Sequence, residues 1–377
     1  MQYRETGRPA FLFLLVFLLL SGGMAGASLS AAGETVSAGA ASAFASPSPT
    51  PRREELPQDS DEVIKVETNL TNIFFTAADK NKRFISNLKA EDIRVLEDGQ
   101  AQEIFTFQQN IDLPLSLAIL IDTSISEERT LPEEKVAARA FLENVLRASK
   151  DEAAILSFTG ETTLEQGFTA NIERLRRAID RVEFVPPSGY VGGGVIINST
   201  PPISGTNQSL AGSTAIWDAI WATSEELIST SAEHSRRAII LLTDGVDTSS
   251  RMKMDEAIER AQKADALIYA IGIGDRYTFN VNEGSLKKIA ERTGGRAYFP
   301  RHEGDLHEAF AQIQRDLREQ YLVAYSPSNK ARDGSYRRIE IQIVNPALKQ
   351  QNLKLNYRAG YFAKTGSPEP GTRRRVQ

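Results

Sequence analysis

Two long apolar runs stand out in the middle of the chain, and each stops at polar residues. Residues 117–121 are all apolar and end at Asp122, while residues 238–242 are all apolar and end at Thr243 and Asp244. Unbroken apolar runs are typical of strands that are buried on both faces of a parallel sheet, with helices on either side. We therefore predict a mostly parallel sheet at the centre of the fold.

Strands and helices alternate around these two runs. Apolar residues at helical spacing follow Thr130, whose position fits a helix N-cap in a capping box with Glu133 and a proline in the first turn. Alternation of strands and helices predicts a doubly wound, Rossmann-like α/β fold. The further strands are predicted at 153–158, 266–273 and 297–299, with an antiparallel edge strand at 163–169, and the further helices at 172–182, 216–227, 254–264, 285–292 and 306–319.

Alternating apolar and polar residues flank this α/β pattern on both sides. Residues 64–70 alternate in this way, and Asp98-Gly99 separates two β-like runs at 93–97 and 102–107, which is a strong hairpin signal. Neither flank can bury enough apolar surface alone, so we predict that both join in one small β-sandwich. The alternating runs after the last helix are 321–325, 339–343 and 353–357.

The N-terminus has the pattern of an export signal. Arg4 and Arg8 precede the apolar run 11–20, and Ala25-Gly26-Ala27 has the small-x-small spacing of a cleavage site. The run is shorter than the roughly 20 residues that a membrane-spanning helix requires. We therefore expect a cleaved signal peptide and an exported protein, either periplasmic or secreted, with an uncleaved membrane anchor as the alternative.

Composition completes the predicted domain organisation. Residues 28–60 are rich in Ala, Ser, Gly and Pro, which predicts a disordered linker because such a segment cannot bury a core. The predicted order is a signal peptide at 1–27, the linker at 28–60, a β segment at 61–111, the α/β domain at 112–318, a second β segment at 319–365 and a disordered tail at 366–377.

Composition also excludes several classes of function. The chain has 377 residues, no cysteine and a net charge of −5. Without cysteine, disulfides and thiolate catalysis are excluded. The acidic balance, with a basic cluster only at 373–375, gives no sign of nucleic-acid binding.

Five oxygen-bearing side chains are predicted to meet at one edge of the sheet. Asp122, Ser124 and Ser126 follow the first apolar run, Asp244 follows the second, and Thr214 leads from a long loop into a helix. Open α/β sheets bind their ligands at the carboxyl ends of the strands. Carboxylates and hydroxyls suit a hard cation such as Mg²⁺, and no thiol or imidazole lies nearby in sequence to favour zinc or copper.

These residues resemble the metal-ion-dependent adhesion site (MIDAS) of von Willebrand factor A (VWFA) domains, written Asp-x-Ser-x-Ser, then Thr, then Asp. All five positions match in the family's order, and the resemblance covers about residues 112–318. With Asp98-Gly99 before this region and Gly360-Tyr361-Phe362 after it, the chain resembles secreted bacterial VWFA-related proteins. The extended loop at 186–213 departs from the family, and it could cover the site or add contacts.

The resemblance implies a non-enzymatic, metal-dependent protein-binding module of the adhesion type. It implies that Ser124 and Ser126 bind Mg²⁺ directly, while Asp122, Thr214 and Asp244 bind it directly or through water. One coordination position then stays open for an Asp or Glu carboxylate of a partner protein. Mn²⁺ and Ca²⁺ are the alternative cations.

Two other functions stay open. A Mg²⁺-dependent hydrolase would need a general base. The three histidines, His234, His302 and His307, lie outside the strand-end loops, which leaves Asp247 as the best candidate for that base. In the other alternative, the protein is a structural scaffold whose metal only ties three loops together.

Overall fold

The structure of this chain is a computed structural model that describes residues 70–81, 83–109, 112–184, 186, 190–192, 195–196, 212–232, 235–274 and 281–366. The predicted signal peptide, the linker, the tail beyond residue 366 and His234 lie outside the described residues. So do residues 64–69 and most of the loop at 186–213. Within the described part of the chain, no helix is long and apolar enough to cross a bilayer.

The secondary-structure elements follow one another in an order close to the predicted one. The strands are β1 (Thr71–Ala78), β2 (Ile93–Glu97), β3 (Gln100–Gln102), β4 (Ile104–Gln109), β5 (Leu115–Asp122), β6 (Glu152–Phe158), β7 (Thr162–Thr169), β8 (Tyr190–Gly192), β9 (Val195–Ile196), β10 (Arg236–Thr243), β11 (Ala266–Gly272), β12 (Ala297–Tyr298), β13 (Tyr321–Tyr325), β14 (Tyr336–Ile343), β15 (Lys354–Tyr357) and β16 (Gly360–Phe362). The α-helices are α1 (Leu131–Val145), α2 (Ile172–Arg181), α3 (Ile216–Ala222), α4 (Met254–Lys263), α5 (Glu283–Thr293), α6 (Glu303–Arg318) and α7 (Pro346–Lys349).

The central sheet has the strand order β12-β11-β10-β5-β6-β7. All of its neighbouring strands are parallel except β6 and β7, so β7 is the predicted antiparallel edge strand. Every residue of β5 is buried. Leu117 and Ile119 pack on the face covered by α1, α2 and α6, whereas Ala118 and Leu120 pack on the face covered by α3, α4 and α5. The predicted doubly wound α/β fold is therefore confirmed.

The register of the parallel strands brings three strand ends to one edge of this sheet. Ile121 of β5 lies opposite Leu242 of β10, so the residues that follow them, Asp122 and Thr243, are neighbours. On the other side of β5, Asp122 lies opposite Phe158 of β6. The loops after β5, β6 and β10 therefore start side by side.

The flanking segments form the predicted β-sandwich. One antiparallel sheet has the order β15-β1-β13-β4, and the other has the order β16-β14-β2-β3. Ile73 and Val323 of the first sheet share one buried cluster with Val95 and Ile341 of the second. Each sheet contains strands from both flanks, so the two segments supply a single core that neither contains alone.

The Asp98-Gly99 turn joins β2 to β3 as predicted, with positive φ angles of 48° and 82°. The prediction of one strand over 102–107 is wrong in extent. The chain leaves the β16-β14-β2-β3 sheet after Gln102 and enters the β15-β1-β13-β4 sheet as β4, which pairs with β13. Strands that switch between packed sheets form the corners of a sandwich. Strand β1 was not predicted; it begins directly after Leu70, the last residue of the predicted alternating run.

Helix α5 ends against the sandwich at Gly294. This glycine has a φ angle of 91°, the left-handed conformation that glycine adopts at helix C-termini. Its carbonyl accepts a hydrogen bond from Asn356 Nδ2 at 2.8 Å. Nearby, Arg296 Nη2 donates to the Thr76 hydroxyl at 3.0 Å. These bonds attach one edge of the α/β region to the sandwich.

Candidate metal centre

Asp122 is the last residue of β5, and Ser124 and Ser126 lie in the loop that follows it. The Ser124 N–H donates to Asp122 Oδ1 at 2.9 Å, and the Ser124 and Ser126 hydroxyl oxygens are 3.1 Å apart. A 3-10 turn over Ile125–Glu127 places the second hydroxyl beside the first. All three side chains are buried. The loop therefore presents one carboxylate and two hydroxyls to the same small space.

The loop after β10 adds a second carboxylate. The Thr243 hydroxyl donates to Asp122 Oδ2 at 2.5 Å, which joins the two strand ends directly. The next residue, Asp244, is buried, and its Oδ1 accepts a hydrogen bond from the Val246 N–H at 2.9 Å. The Ser126 side chain also hydrogen-bonds the Asp244 carboxylate. The two predicted acids of the site are thus linked through the hydroxyls between them.

Thr214 is held between the ends of β6 and β10. Its N–H donates to the Thr248 hydroxyl at 2.8 Å, and its carbonyl accepts from the Thr248 N–H at 2.8 Å. The N–H of the next residue, Ala215, donates to the Thr159 carbonyl at 2.7 Å, just beyond β6. Thr214 is buried. The third predicted loop therefore reaches the same edge of the sheet as the other two.

Asp247 ties this third loop to the loop after β10. Its Oδ1 accepts hydrogen bonds from the Ile216 N–H at 2.8 Å and from the Ser250 hydroxyl at 2.5 Å. These bonds fix the first residue of α3 in place. The Asp247 carboxylate is therefore engaged in holding the loops together.

Glu127 is a third carboxylate at the cluster, and sequence reasoning missed it. The side chain is 0% exposed, and carboxylate oxygens of Asp122, Glu127 and Asp244 lie within 4.8 Å of one another. Glu127 Oε2 accepts a hydrogen bond from the Thr130 hydroxyl at 2.6 Å. Its Oε1 is buried without a hydrogen-bond partner in the described part of the chain. The only signal in the sequence was an acid directly after the second motif serine, and acids in loops are usually solvated.

Glu134, in the first turn of α1, lies near enough to Glu127 for its charge to raise the pKa of that residue. Both Glu134 carboxylate oxygens are buried, and the polar groups beside them are the Thr130 hydroxyl and the Glu127 carboxyl group, whose hydrogen bonds only partly oppose the rise in pKa that burial causes. Thr130 does precede α1, and Pro132 lies in the first turn, as predicted. The predicted capping box with Glu133 is wrong, because the Thr130 hydroxyl donates to the buried Glu127 carboxylate instead of capping the helix.

Burial dominates the electrostatics of these acids. Desolvation raises the pKa of Asp122 to about 7, although hydrogen bonds from the neighbouring residues partly oppose the shift. Burial, followed by the charges of nearby carboxylates, raises the pKa of Glu127 well above its usual range. Burial also raises the pKa of Asp244. Because these groups disfavour one another's ionisation, they need either protons or a cation to be stable.

The chemistry of this donor set fits a hard divalent cation. Carboxylate and hydroxyl oxygens are the ligands that Mg²⁺, Mn²⁺ and Ca²⁺ prefer. The unpartnered Oε1 of Glu127 is a buried acceptor that such an ion would satisfy. A cation would also offset the free energy that burial of several acids costs. The residues present are therefore compatible with the metal that the sequence implied.

The described part of the long loop contacts the loop that carries these acids. Strands β8 and β9 form a short antiparallel ladder. The Tyr190 hydroxyl donates to the carboxylate of Glu128, the residue after Glu127. The Tyr190 ring also packs edge-on against Phe184, with ring centroids 5.3 Å apart. This end of the loop is thereby anchored beside the cluster.

Comparison with known protein families finds a match in the second half of the α/β region. Residues 202–312 match the family model of the von Willebrand factor type A domain, which confirms the family predicted from the sequence. The match contains Thr214 and Asp244, whereas Asp122, Ser124 and Ser126 precede it. Comparison with curated proteins finds no match.

Solved structures with a similar fold include proteins from an animal and a bacterium. Proximal thread matrix protein 1 from the mussel byssus is 17% identical with a TM-score of 0.44, over 59% of this chain and 51% of its own. A structure of the same mussel protein with a zinc-occupied MIDAS motif is 17% identical with a TM-score of 0.43, over 58% and 49%. BatB from Bacteroides thetaiotaomicron, described as a conserved hypothetical protein, is 16% identical with a TM-score of 0.39, over 55% and 100%. This chain thus spans about half the length of the mussel protein.

Proposed function

We propose that the strand-end cluster binds a divalent cation, Mg²⁺ in the first instance, and that the loaded site binds an acidic side chain of a partner protein. The observation that carries this proposal is the convergence of buried oxygen donors from separate loops. They surround a space in which carboxylate oxygens of Asp122, Glu127 and Asp244 lie within 4.8 Å of one another. Clustered buried acids without a counter-charge are costly, and a cation compensates them.

Each predicted residue has a role in this proposal. Ser124 and Ser126 would bind the cation through their hydroxyls, while Asp122, Thr214 and Asp244 would bind it directly or through water. The hydrogen bond from Thr243 to Asp122 orients that carboxylate toward the site, as outer-shell partners do in metal centres. When bound, the cation supplies a Lewis-acidic position that attracts a carboxylate oxygen.

The surface beside the cluster suits a protein partner. Val246, two residues after Asp244, is an exposed apolar side chain at 39% exposure. Protein interfaces combine an apolar core with a polar rim, so an exposed apolar side chain beside this polar cluster suits a protein contact. We therefore propose a protein ligand that offers an Asp or Glu carboxylate to the cation, with its neighbouring residues against this surface.

A non-enzymatic function agrees with the placement of the candidate base. The Asp247 carboxylate already accepts hydrogen bonds from Ile216 and Ser250, so it supports a loop. His302 precedes α6 and His307 lies on that helix. We also propose that the protein works outside the cytoplasm, in the periplasm or secreted, because the N-terminal sequence has the features of an export signal.

Metal-dependent capture tests this function. The full-length chain would be immobilised and exposed to extracellular or periplasmic proteins in Mg²⁺, and then eluted with a chelator. Asp122→Ala is the loss-of-site variant. Asp180→Ala is the matched control, because Asp180 is an exposed acid on α2.

We expect a partner that is retained by the parent and by the control, is released by chelator, and is not retained by Asp122→Ala. Replacing the partner's own acidic residues one by one should then abolish retention at a single position. Retention of the same partner by Asp122→Ala, or in the presence of chelator, would contradict the proposal.

A further inference from the structure

The geometry points to Glu127 as an additional protein ligand of the cation, one that approaches it from the interior of the domain. This inference rests on the proposed metal site and deepens it. It extends the five-residue donor set by a buried carboxylate that follows Ser126 directly in the chain. As a ligand, Glu127 would increase the affinity of the site for its cation and would leave the solvent-facing side of the cation free.

The position of Glu127 is the first argument. Its carboxylate belongs to the group of three whose oxygens lie within 4.8 Å of one another, together with Asp122 and Asp244. Oxygens on opposite sides of one Mg²⁺ are about 4.2 Å apart, and those around Ca²⁺ are about 4.6–5.2 Å apart, given metal–oxygen distances of about 2.1 and 2.3–2.6 Å. The observed limit of 4.8 Å lies within the span of a Ca²⁺ site. It exceeds the span of a Mg²⁺ site by about 0.6 Å, so the three carboxylates would have to move closer together to share one Mg²⁺.

The unsatisfied oxygen of Glu127 is the second argument, and it is independent of the clustering. The Thr130 hydroxyl already occupies Oε2, at 2.6 Å. Oε1 has no hydrogen-bond partner among the described residues, although the side chain is 0% exposed. Buried polar atoms in folded proteins almost always have a partner, so this carboxylate oxygen calls for one, and an ion is a partner that the neighbouring carboxylates would share.

Glu134, which neighbours Glu127, introduces a second way of neutralising the buried charge, namely a proton shared between the two glutamates. Glu134 is also fully buried, and the polar groups beside its carboxylate are Thr130 and Glu127 itself. Two adjacent buried carboxyl groups can be neutralised by a shared proton or by a cation. A cation would also compensate Asp122 and Asp244 beside them, whereas a proton shared within the glutamate pair would not.

Glu127 would hold the ion from the protein side, as Asp122 would, because neither side chain contacts solvent. The solvent-facing position is then left for the partner's carboxylate. Three acidic ligands would also compensate a dication more fully than two, so the site would retain its metal without a partner while attracting external carboxylates less strongly.

Two substitutions and one control test this role by calorimetric titration of Mg²⁺ and Mn²⁺ into the full-length chain. Glu127→Gln removes the charge but keeps an oxygen, while Glu127→Leu removes both. Glu133→Gln is the control, because it removes an exposed acid from the adjacent turn of α1. The number of water molecules on bound Mn²⁺, obtained from water-proton relaxation, separates direct ligation from a long-range charge effect.

If Glu127 is a ligand, Glu127→Leu should lower the affinity by at least about 10-fold, the smallest loss typical even of outer-shell partners. It should also add a water to bound Mn²⁺, while Glu133→Gln should match the parent in both measurements. Parent-like affinity in Glu127→Leu, or weakened binding with an unaltered water count, would overturn the inference. Circular dichroism in chelator checks that each variant folds. If the parent itself binds no cation, the proposed function fails. If the parent binds a cation and Glu127→Leu binds it equally well, only the inference about Glu127 fails.

Discussion

Two buried glutamates of this chain have opposite surroundings. Glu97, in the sandwich, is 2% exposed, and it accepts hydrogen bonds from the Tyr325 hydroxyl at 2.7 Å and the Tyr361 hydroxyl at 2.9 Å. It also pairs with Arg337 Nη1 at 3.2 Å. Glu127, in the strand-end cluster, is equally buried, but its charged neighbours include other carboxylates and its Oε1 has no partner in the described structure.

Glu97 has its counter-charge within the fold, whereas Glu127 lacks a counter-charge that a bound ligand would supply. A buried carboxylate with its own counter-charge and hydroxyl donors needs nothing from solution. A buried group of acids without one depends on protons or on a cation. The sandwich network should therefore be indifferent to divalent cations, whereas the cluster should respond to them.

The largest loss of stability is expected for a substitution at Glu97 in the sandwich. Glu97→Ala would leave the Arg337 guanidinium buried without its acidic partner, so we expect a loss of about 3–5 kcal/mol in the free energy of unfolding. Urea unfolding followed by circular dichroism measures it. Glu340→Ala, which removes an exposed acid from β14, should change stability by less than about 0.5 kcal/mol. Equal effects of the two substitutions would show that the network contributes little.

The surroundings of Asp316 on α6 are intermediate between those of Glu97 and Glu127, because Asp316 has a counter-charge but one of its oxygens has no described partner. The Tyr298 hydroxyl donates to its Oδ2 at 3.2 Å and Arg296 Nε lies 3.3 Å from the same oxygen, yet its Oδ1 has no partner in the described region. Burial raises its pKa from 3.8 to about 6. Since the folded-state pKa is raised, the contribution of this group to stability is present below pH 4 and is lost as the pH rises through about 6.

Asp316→Asn should therefore gain stability relative to the parent as the pH rises from 4 to 7. The expected gain over this range is on the order of 2–3 kcal/mol, from a shift of about two pH units. Urea unfolding at several pH values measures it, with Glu308→Gln as a control at an exposed position of the same helix. A difference between Asp316→Asn and the parent that stays constant with pH would contradict the assignment.

Orientation of the first metal-site acid can be tested at Thr243. Thr243→Val keeps the shape of the side chain but removes the hydroxyl that donates to Asp122 at 2.5 Å. We expect the affinity for Mn²⁺ to fall by about 10- to 100-fold, as measured by calorimetry. Thr163→Val, on the edge strand β7, is the control and should bind like the parent. Unaltered affinity in Thr243→Val would mean that Asp122 is oriented without this bond.

The smallest change in the free energy of unfolding is expected for Glu134→Leu. It is a gain in stability, whereas Glu97→Ala causes a loss. Glu134→Leu replaces a buried acid that has no counter-charge among the described residues with an apolar side chain of similar size. In chelator near pH 8 we expect a gain of about 1–2 kcal/mol, because an uncompensated polar group leaves the interior. Urea unfolding in chelator provides the value. A loss of stability would show that Glu134 is satisfied in the folded protein.

Much of this fold follows from the periodicity of the sequence. The apolar runs that end at Asp122 and Asp244 predicted β5 and β10, and the alternating flanks predicted a sandwich shared by both ends of the described chain. These predictions succeed because burial on one or both faces of a strand dictates the residue pattern. The hairpin at Asp98-Gly99 succeeds because a turn with positive φ angles selects these residue types.

The predictions from sequence were wrong where tertiary contacts override local sequence signals. A single β-like run gave no sign that the chain would change sheets between Gln102 and Ile104. Thr130 has the spacing of a helix cap, but it donates to a carboxylate that only the folded loop brings near. The burial of Glu127 and Glu134 was equally hidden, because a lone acid near a helix start is usually exposed.

The most direct test of the account is calorimetric titration of Mg²⁺ and Mn²⁺ into the folded full-length chain and into Asp122→Ala. The account predicts one saturable site in the parent and no binding in the variant, because Asp122 joins the loops after β5 and β10. A folded parent that binds neither ion, or a variant that binds as tightly as the parent, would contradict the assignment of this cluster as a metal centre.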